Sequence, residues 1–393
     1  MWRSYASPPC HGERLRPAGA GHAAAPGDDR PGLLGLRRAA AGRALWVVRG
    51  GADAGGAGLV NGVLMLFTVL TQLVVPAALR RLGWAPVLVA GMVLLGLPAV
   101  AHVLTDALAP TLVLSAVRGL GFGVLTVTGS ALIAELVEPV RRGRAIGAYG
   151  LAIAGPQVLL LAGAPWLAEE LGFWVVFVLS GLPLLGVVPA VRLARMLHHV
   201  PEAQERAPYA RLLRPMLLLL GVTLAGGALI TFMAQMSSSA YLTVLALLVM
   251  TATAALTRWR IGTLADRYGP QRFIWPLVLN TAAGMAVIAW AVRDPQATSA
   301  PALLVGTALV GASYGALQNL TLVVTFASVS RPHYGSASAV WNIGFDAGTG
   351  AGSVVVGIVA AATSFSAAML AAGALALLTL PLALRRARGG PVA

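Results

Sequence analysis

Two charged side chains lie deep inside long apolar stretches of this sequence, where a charge is costly and usually faces a partner. Asp346 is about ten residues from the nearer end of its stretch, ~15 Å at the helical rise, and is the one carboxylate at that depth. A carboxylate there can exchange a proton, and Arg118, in another stretch, can bind an anionic group. We therefore expect proton-coupling chemistry at Asp346 and Arg118, with Glu135 as a third candidate.

A structural explanation stays open for each of these residues. Asp346 could be a polar hinge or a carboxylate satisfied by neighbouring helices, and Arg118 could be a strut between helices. Other polar residues in the apolar stretches are candidates to line a substrate cavity, although such groups also hold helices together. These candidates are Tyr314, Gln318, Asn319, Thr325, Asn342 and Gln235.

The composition shows which elements must position these side chains. The 393 residues are 58% hydrophobic and 11% charged, with a mean hydropathy of +0.79. Soluble domains carry about 25% charged residues. Stretches close to the ~20 residues that span a bilayer recur along the chain. We therefore expect an all-α integral membrane protein in contact with the lipid bilayer.

Several kinds of chemistry are excluded by residues that the sequence lacks. All 28 basic residues are arginine, so no phosphate-binding loop of the Walker type can be built, since it needs a lysine. Cys10 is the single cysteine, and the adjacent His198 and His199 do not have metal-ligand spacing. We expect no metal and no cofactor, and we find no set of residues typical of an enzyme.

Eleven spans follow from hydropathy, and two polar segments separate them. The long segment 194–214 divides five spans in 58–193 from six in 215–390. Residues 1–57 are polar, rich in Arg, Pro, Gly and Ala, and expected to be disordered or at most to form a short surface helix. The spans are 58–79, 84–105, 111–135, 145–167, 173–193, 215–236, 239–257, 273–292, 302–329, 337–362 and 365–384.

The arginines fall in every second connection between spans, with Arg293 as one weak exception. This is the pattern of cytoplasmic loops. It places the 194–214 linker and the C-terminus in the cytoplasm, and it explains the net charge of +14 without a nucleic-acid partner. The bacterial inner membrane that we expect as the location follows from the family resemblance described below.

The segment from Gly262 to Arg272 resembles the loop that marks the major facilitator superfamily. The family pattern Gly-x-Leu-x-Asp-Arg-x-Gly is matched between the second and third spans of the second half, and a further arginine follows it. The matching residues are Gly262, Leu264, Asp266, Arg267, Gly269 and Arg272. The resemblance implies a fold of two bundles with twelve spans, so that the eleven found here, five plus six, leave the first half one helix short.

In the family this loop docks on the other half and helps to close one face. We name Gly262, Asp266, Arg267, Gly269 and Arg272 the latch. We expect Asp266 to cap the helix that starts near Gly143, because exposed amides at a helix N-terminus attract a carboxylate, and Arg267 to pair with Glu135. The first-half counterpart, 76–83, has Arg80 in the place of the aspartate, so we expect an asymmetric latch.

Further motifs resemble drug-efflux members of this superfamily. Arg118 precedes alternating glycines at 119, 121 and 123, and Asn342 and Asp346 stand among glycines in the penultimate span. The run from Gly147 to Pro156 resembles, imperfectly, the Gly-Pro motif of the antiporters. These resemblances favour export.

The function that we expect is proton-coupled export of small, largely apolar molecules by a monomer that alternates access between the two sides. The proton gradient would be the energy source. The alternatives are an uptake symporter or facilitator for a small solute such as a sugar, and a membrane sensor or truncated remnant that transports nothing.

Overall fold

Helices make up nearly all of the chain that the structure describes. The computed structural model describes residues 54–197, 207–237, 239–294 and 297–385, and no β-strand occurs among them. The helices are α1 Ala54–Leu82, α2 Trp84–Ala101, α3 Leu108–Leu136, α4 Arg142–Glu170, α5 Phe173–Ser180, α6 Val187–Arg195, α7 Tyr209–Met236, α8 Ala240–Tyr268, α9 Gln271–Ala291, α10 Ala300–Ala327, α11 Tyr334–Ala362, α12 Phe365–Leu377 and α13 Leu380–Leu384.

Ten segments of the described chain are helical, long and apolar enough to cross a membrane. Helix α4, with 29 residues, covers the remaining predicted span. A helix of that length extends ~44 Å, more than the ~30 Å hydrocarbon core of a bilayer. The predicted all-helical membrane fold is therefore confirmed, with ten candidate spans in the described residues and α4 at the position of the eleventh that we predicted.

Two spans that hydropathy predicts as continuous are broken in the structure. Between α5 and α6 lies the 3-10 helix Leu182–Gly186, which contains Pro183, and Pro381 stands at the start of α13 just after α12 has ended. A proline lacks the amide N–H and crowds the preceding turn, so the α-helical hydrogen bonds stop there. Hydropathy measures apolar length and is blind to these breaks.

Three predicted boundaries move because helices continue beyond the apolar core. Helix α1 begins at Ala54, before the predicted start at 58, and the rest of 1–57 lies outside the described residues. Helix α7 begins at Tyr209, inside the predicted linker 194–214, of which 198–206 also lie outside them. Helix α8 runs to Tyr268, well past the predicted end at 257. Polar helix ends keep their backbone hydrogen bonds after the apolar run has stopped.

Glycines let the helices of the first predicted half approach closely. A β-carbon on Gly119 would lie 3.0 Å from the Phe67 β-carbon, and one on Gly123 would lie 2.9 Å from that of Thr71, both on α1. Gly121 faces the other neighbour, since its β-carbon would lie 2.6 Å from the Leu94 carbonyl carbon on α2. The alternating glycines after Arg118 therefore place α3 against α1 and α2 at once.

Contacts between helices of the described residues join the first five predicted spans to the last six. Helix α4 packs on α8 and α10, and helix α11 packs on α1 and α3. We call the end of the bundle where these contacts meet the loops 80–84, 137–144, 268–272 and 328–334 the arginine-rich end. The division into halves 58–193 and 215–390 stays a prediction.

Large apolar side chains cover the outside of the helices. Leu73 on α1 is 63% exposed and Val354 on α11 is 61% exposed, and many others are similar. Such surfaces are unfavourable in water and suit lipid, where every backbone group is already bonded within its helix. The chain is therefore a multi-pass membrane protein.

Candidate functional site

Asp266 bonds to the start of α4. Its Oδ1 accepts a hydrogen bond from the Gly143 amide at 2.8 Å, and its Oδ2 accepts one from the Arg144 amide at 2.8 Å. The first amides of a helix have no partner within the helix, and they attract a negative charge. The predicted capping contact between Asp266 and α4 is thus present.

Main-chain contacts surround this cap. A β-carbon on Gly262 would lie 2.6 Å from the Gly143 carbonyl carbon, so the two backbones touch only because both residues are glycine. Asn319 of α10 donates from Nδ2 to the Gly143 carbonyl at 3.0 Å and to the Arg258 carbonyl at 2.9 Å. Helices α4, α8 and α10 are therefore joined at one point.

The predicted pair of Arg267 and Glu135 is wrong. Arg267 lies over the ring of its neighbour Tyr268, 5.1 Å from the centroid, while Glu135 pairs with Arg331 at 2.6 Å. Glu135 is the penultimate residue of α3, on the side that faces the start of α11 rather than α8. Glu135 therefore lies at the arginine-rich end, where it pairs with a residue just before α11. This position is away from mid-membrane.

The remaining latch residues shape the turn between α8 and α9. Gly269 has a φ of 80°, a conformation that side chains with a β-carbon rarely adopt. Arg272 lies over the Tyr268 ring at 5.8 Å. Gly83 joins α1 to α2 with the same φ of 80°, so both turns use a conformation that favours glycine.

The first-half counterpart contacts α11 as the latch contacts α4. A β-carbon on Gly335, at the start of α11, would lie 3.5 Å from the Leu79 side chain and 3.7 Å from the Pro76 Cα. The side chain of His333, the N-cap residue of α11, makes no capping hydrogen bond. Arg80 stands where the aspartate would be, and the asymmetry of the latch stays a prediction.

Polar groups line the contact between α3 and α11. Ser338 bonds to Ser130 and donates to the Val127 carbonyl at 2.7 Å. Asn342 donates to Ser130 Oγ at 3.2 Å and to the Thr126 carbonyl at 3.3 Å. We call these five residues the α3–α11 ladder. Asn342 is buried in this ladder, so its amide joins helices and does not face a cavity.

Arg142 adds polar contacts with the end of α3 and the start of α11 at the arginine-rich end. Its Nη2 donates to the Tyr334 hydroxyl at 2.6 Å and to the Ala134 carbonyl at 2.8 Å, and its guanidinium lies over the Tyr334 ring. Sequence reasoning treated Arg142 as one of several loop arginines. Nothing in its local pattern distinguishes it from the exposed Arg141 and Arg144.

Asp346 lies where α11 meets α1 and α3. Gln72 of α1 donates from Nε2 to Asp346 Oδ2 at 2.8 Å, and the same nitrogen is 3.3 Å from Thr126 Oγ1 on α3. Counted from Tyr334, Asp346 is ~18 Å along α11. Asp346 of α11 is therefore held by a residue of α1 that also lies close to α3.

The structure does not bring Arg118 to Asp346. Arg118 is 7% exposed, and its Nε has no hydrogen-bond partner among the described residues. Counted from the arginine-rich ends of their helices, Arg118 is ~27 Å deep and Asp346 ~18 Å. The described residues therefore show no contact through which Arg118 could act directly on Asp346.

A second arginine, missed by the sequence reasoning, lies inside the bundle. Arg258 of α8 donates from Nη1 to Gln318 Oε1 at 2.7 Å, and its charge interacts with Tyr149 and Tyr314. The predicted span stopped at Thr257, one residue short, and so assigned Arg258 to a loop. A prediction based on alternating polar loops and apolar spans assigns such an arginine to the loop, because it stands next to a polar run in the sequence.

The other predicted cavity residues are only partly brought together. Gln318 contacts Arg258, and the Tyr314 ring packs against Phe345 at 6.1 Å. Asn319, in contrast, is fully buried between helices, and Thr325 bonds to the carbonyl of its own helix at Thr321 near the end of α10. Gln235 is exposed one residue before the end of α7. These three do not line a central cavity.

A sequence-family model and a curated relative match the chain. The Major Facilitator Superfamily model matches residues 44–295. The chain is 31% identical over 145 residues to the probable 4-methylmuconolactone transporter of Cupriavidus pinatubonensis (strain JMP 134 / LMG 1197), a match that takes in 34% of this chain and 32% of the relative. The chain thus spans about a third of the length of the curated relative it matches.

Solved transporter structures resemble the chain over most of its length. The human organic anion transporter MFSD10 (TETRAN) has a TM-score of 0.67 at 17% identity, covering 88% of this chain and 89% of that chain. The E. coli fucose:proton symporter FucP has a TM-score of 0.67 at 13% identity, covering 90% and 98%. The proton:xylose symporter XylE has a TM-score of 0.66 at 14% identity, covering 88% and 90%.

At such low sequence identities, the similarity to these structures shows the fold alone. Membership of the family is shown by the match to the family model. The model takes in well over half of the 393 residues. The chain therefore belongs to the Major Facilitator Superfamily.

Proposed function

We propose that this transporter exports small, largely apolar molecules in exchange for protons, by alternating access. The observation that carries the proposal is the hydrogen bond from Gln72 to Asp346, which joins α1 to α11 across the predicted halves. Taking up a proton would remove the charge that this bond stabilises. A proton arriving at Asp346 would thus weaken a contact between the halves and favour their separation.

The latch would hold the arginine-rich end closed while the substrate faces the other side. Asp266 bonds two backbone amides of α4, and caps of this kind contribute about 1 kcal/mol. When the halves rock, these bonds must break, so their strength sets part of the balance between the two conformations. Resemblance to efflux members supports the outward direction.

Transport in inverted membrane vesicles tests the proposal. Nile red, an apolar fluorescent dye, serves as the probe, and a protonophore collapses the pH gradient. We expect gradient-dependent accumulation by the natural chain and loss of gradient dependence in Asp346→Asn, with Asp106→Asn, an exposed acid outside the helices, as the matched control. Full proton-driven accumulation by Asp346→Asn would remove Asp346 from the coupling mechanism.

Uptake by symport is the second candidate. It is favoured by the likeness to FucP and XylE, which are described as proton symporters for fucose and xylose. Radiolabelled fucose and xylose, offered to right-side-out and inverted vesicles in parallel, separate the two directions. Accumulation only in right-side-out vesicles would replace export by uptake, and transport of no probe by vesicles that contain folded protein would favour the non-transporting alternative.

Location and assembly complete the proposal. We propose a bacterial inner membrane, a cytoplasmic arginine-rich end and C-terminus, and a monomer. A C-terminal fusion to green fluorescent protein, which fluoresces only in the cytoplasm, tests the orientation. Light scattering of the purified protein tests the monomer.

A further inference from the structure

Arg258 is a positive charge enclosed by helices without a matching negative charge. It lies ten residues before the end of α8, ~15 Å from the arginine-rich end. Its Nη1 bonds to the neutral Gln318, and its Nε has no hydrogen-bond partner among the described residues. No carboxylate in the described parts of the chain pairs with it. Enclosed arginines normally pair with an acid, because desolvating a lone charge is expensive.

The surroundings of Arg258 cover its Nε but not the whole side chain. Its side chain is half-buried, although it starts from a helix inside the bundle. It lies across α4 at Gly150, where a β-carbon would be 2.5 Å from Arg258 Cδ and 2.8 Å from its Cζ. The absence of a side chain at Gly150 therefore makes the room that the guanidinium occupies.

Aromatic groups from three helices adjoin this charge. Tyr149 of α4 and Tyr314 of α10 interact with the Arg258 charge, and Phe345 of α11 packs against the Tyr314 ring. Rings of this kind offer an apolar surface to the body of a ligand, with hydroxyls at its edge. Glycine at 226 lets the Tyr314 ring lie against α7, since a β-carbon there would be 2.5 Å from Tyr314 Cδ2.

We infer that Arg258 binds the carboxylate of a small organic anion, with Gln318 orienting the guanidinium and Tyr149 and Tyr314 flanking the apolar body of the ligand. A guanidinium suits this task because it presents several donors in one plane and can bond both oxygens of a carboxylate. The inference rests on the proposed transport function and specifies its substrate class: an apolar molecule that carries one carboxylate.

A carboxylate in the neighbourhood of Tyr314 limits the ligand to one negative charge. Asp346 and Arg258 both act electrostatically on Tyr314, so an anion bound at Arg258 would also feel the charge of Asp346. A second negative charge on the ligand would be repelled by Asp346 unless that group is protonated. We therefore expect monocarboxylates to bind better than dicarboxylates of the same size.

Binding to the purified chain in lipid nanodiscs tests the inference, with benzoate as the probe and isothermal titration calorimetry as the measurement. Benzamide has the same shape without the charge, and phthalate carries a second carboxylate. We expect benzoate to bind at least ten-fold more tightly than either. Arg258→Gln should weaken benzoate roughly 10–100-fold, the range for a charge-assisted hydrogen bond. Arg260→Gln, an exposed arginine on the same helix, is the matched control.

Gln318→Glu separates ligand binding from a structural role of Arg258. This isosteric change gives the arginine an internal carboxylate, so benzoate binding should fall as far as in Arg258→Gln while the unfolding temperature stays the same or rises. A purely structural contact would lower the unfolding temperature in Arg258→Gln and leave benzoate affinity unchanged in both variants. That result, or chloride displacing benzoate at equal concentration, would overturn the inference.

The outcome can be separated from that of the proposed function. Proton-driven movement of Nile red together with no benzoate binding would leave the transport proposal intact and end this inference. Benzoate binding that depends on Arg258 in a chain that moves no probe would do the opposite.

Discussion

Asp266 accepts hydrogen bonds from the amides of both Gly143 and Arg144, each at 2.8 Å, across 122 to 123 positions of sequence. One carboxylate on α8 therefore binds two main-chain amides at the start of α4. We expect Asp266→Ala to loosen this junction, because a cap of this type is worth about 1 kcal/mol, or roughly five-fold in an equilibrium.

The loosening can be measured as exposure of a neighbouring buried position. Ala265 is 3% exposed, so Ala265→Cys in a Cys10→Ser background should react slowly with a maleimide. Adding Asp266→Ala should raise the labelling rate about five-fold, and Asp106→Asn should not. Unchanged labelling in the Asp266 variant would show that the cap does not control closure.

Two glycines on the same helix should respond differently to an added methyl group. A β-carbon on Gly147 would lie 2.9 Å from the carbonyl oxygens of Arg258 and Trp259, whereas one on Gly155 would meet nothing within 4 Å. Gly147→Ala should cost about 1–3 kcal/mol by overpacking, while Gly155→Ala should be neutral or stabilising by up to ~1 kcal/mol. Thermal unfolding of the two detergent-solubilised variants checks this. Equal stability would mean that α4 and α8 separate at little cost.

The ion pair between Glu135 and Arg331 is unequal in burial. The Glu135 side chain is 4% exposed and the Arg331 side chain 48%. Removing the arginine leaves a buried carboxylate without its partner, so Arg331→Ala should destabilise more than Glu135→Gln. A double-mutant cycle should give a coupling of about 1 kcal/mol. Arg260→Ala is the control, and a coupling near zero would show that the pair contributes nothing.

Gln72 should matter for transport more than its size suggests. Gln72→Leu removes the amide that donates to Asp346 and leaves an acceptor unsatisfied, at a cost of about 1–3 kcal/mol. We expect proton-driven transport in vesicles to fall several-fold, while Gln235→Leu, at an exposed position, transports normally. If Gln72→Leu kept the full rate, the bond between α1 and α11 would have no part in coupling.

The sequence predicts what local chemistry determines. Apolar length predicts the spans, and the attraction between a carboxylate and a helix N-terminus predicts the contact of Asp266 with α4. The partner of Glu135 could not be predicted in this way, because Arg331 is 196 positions away and several arginines were equally available. Which faces of α3, α8 and α11 meet is decided by packing of the whole bundle.

Arg258 shows a second limit. The predicted span ends at Thr257 because charged residues follow it in the sequence. Helix α8 nevertheless continues for eleven more residues. A hydropathy profile averages over a window and reports the apolar content of a segment. It does not report which way a single arginine points, and that direction distinguishes Arg258 from Arg260.

The two contacts at the arginine-rich end should differ in how well they tolerate mutation. Between α4 and α8, one aspartate and glycines at 143 and 262 make the junction, and each has no ready substitute. Between α3 and α11, the ladder contains several hydrogen bonds from hydroxyls and an amide, so the loss of one bond leaves the others in place. Sequence drift is therefore expected to be tolerated on the α11 side. The loop on that side is the one with Pro76 and Arg80, which depart from the family pattern, while the loop that serves α4 still matches it.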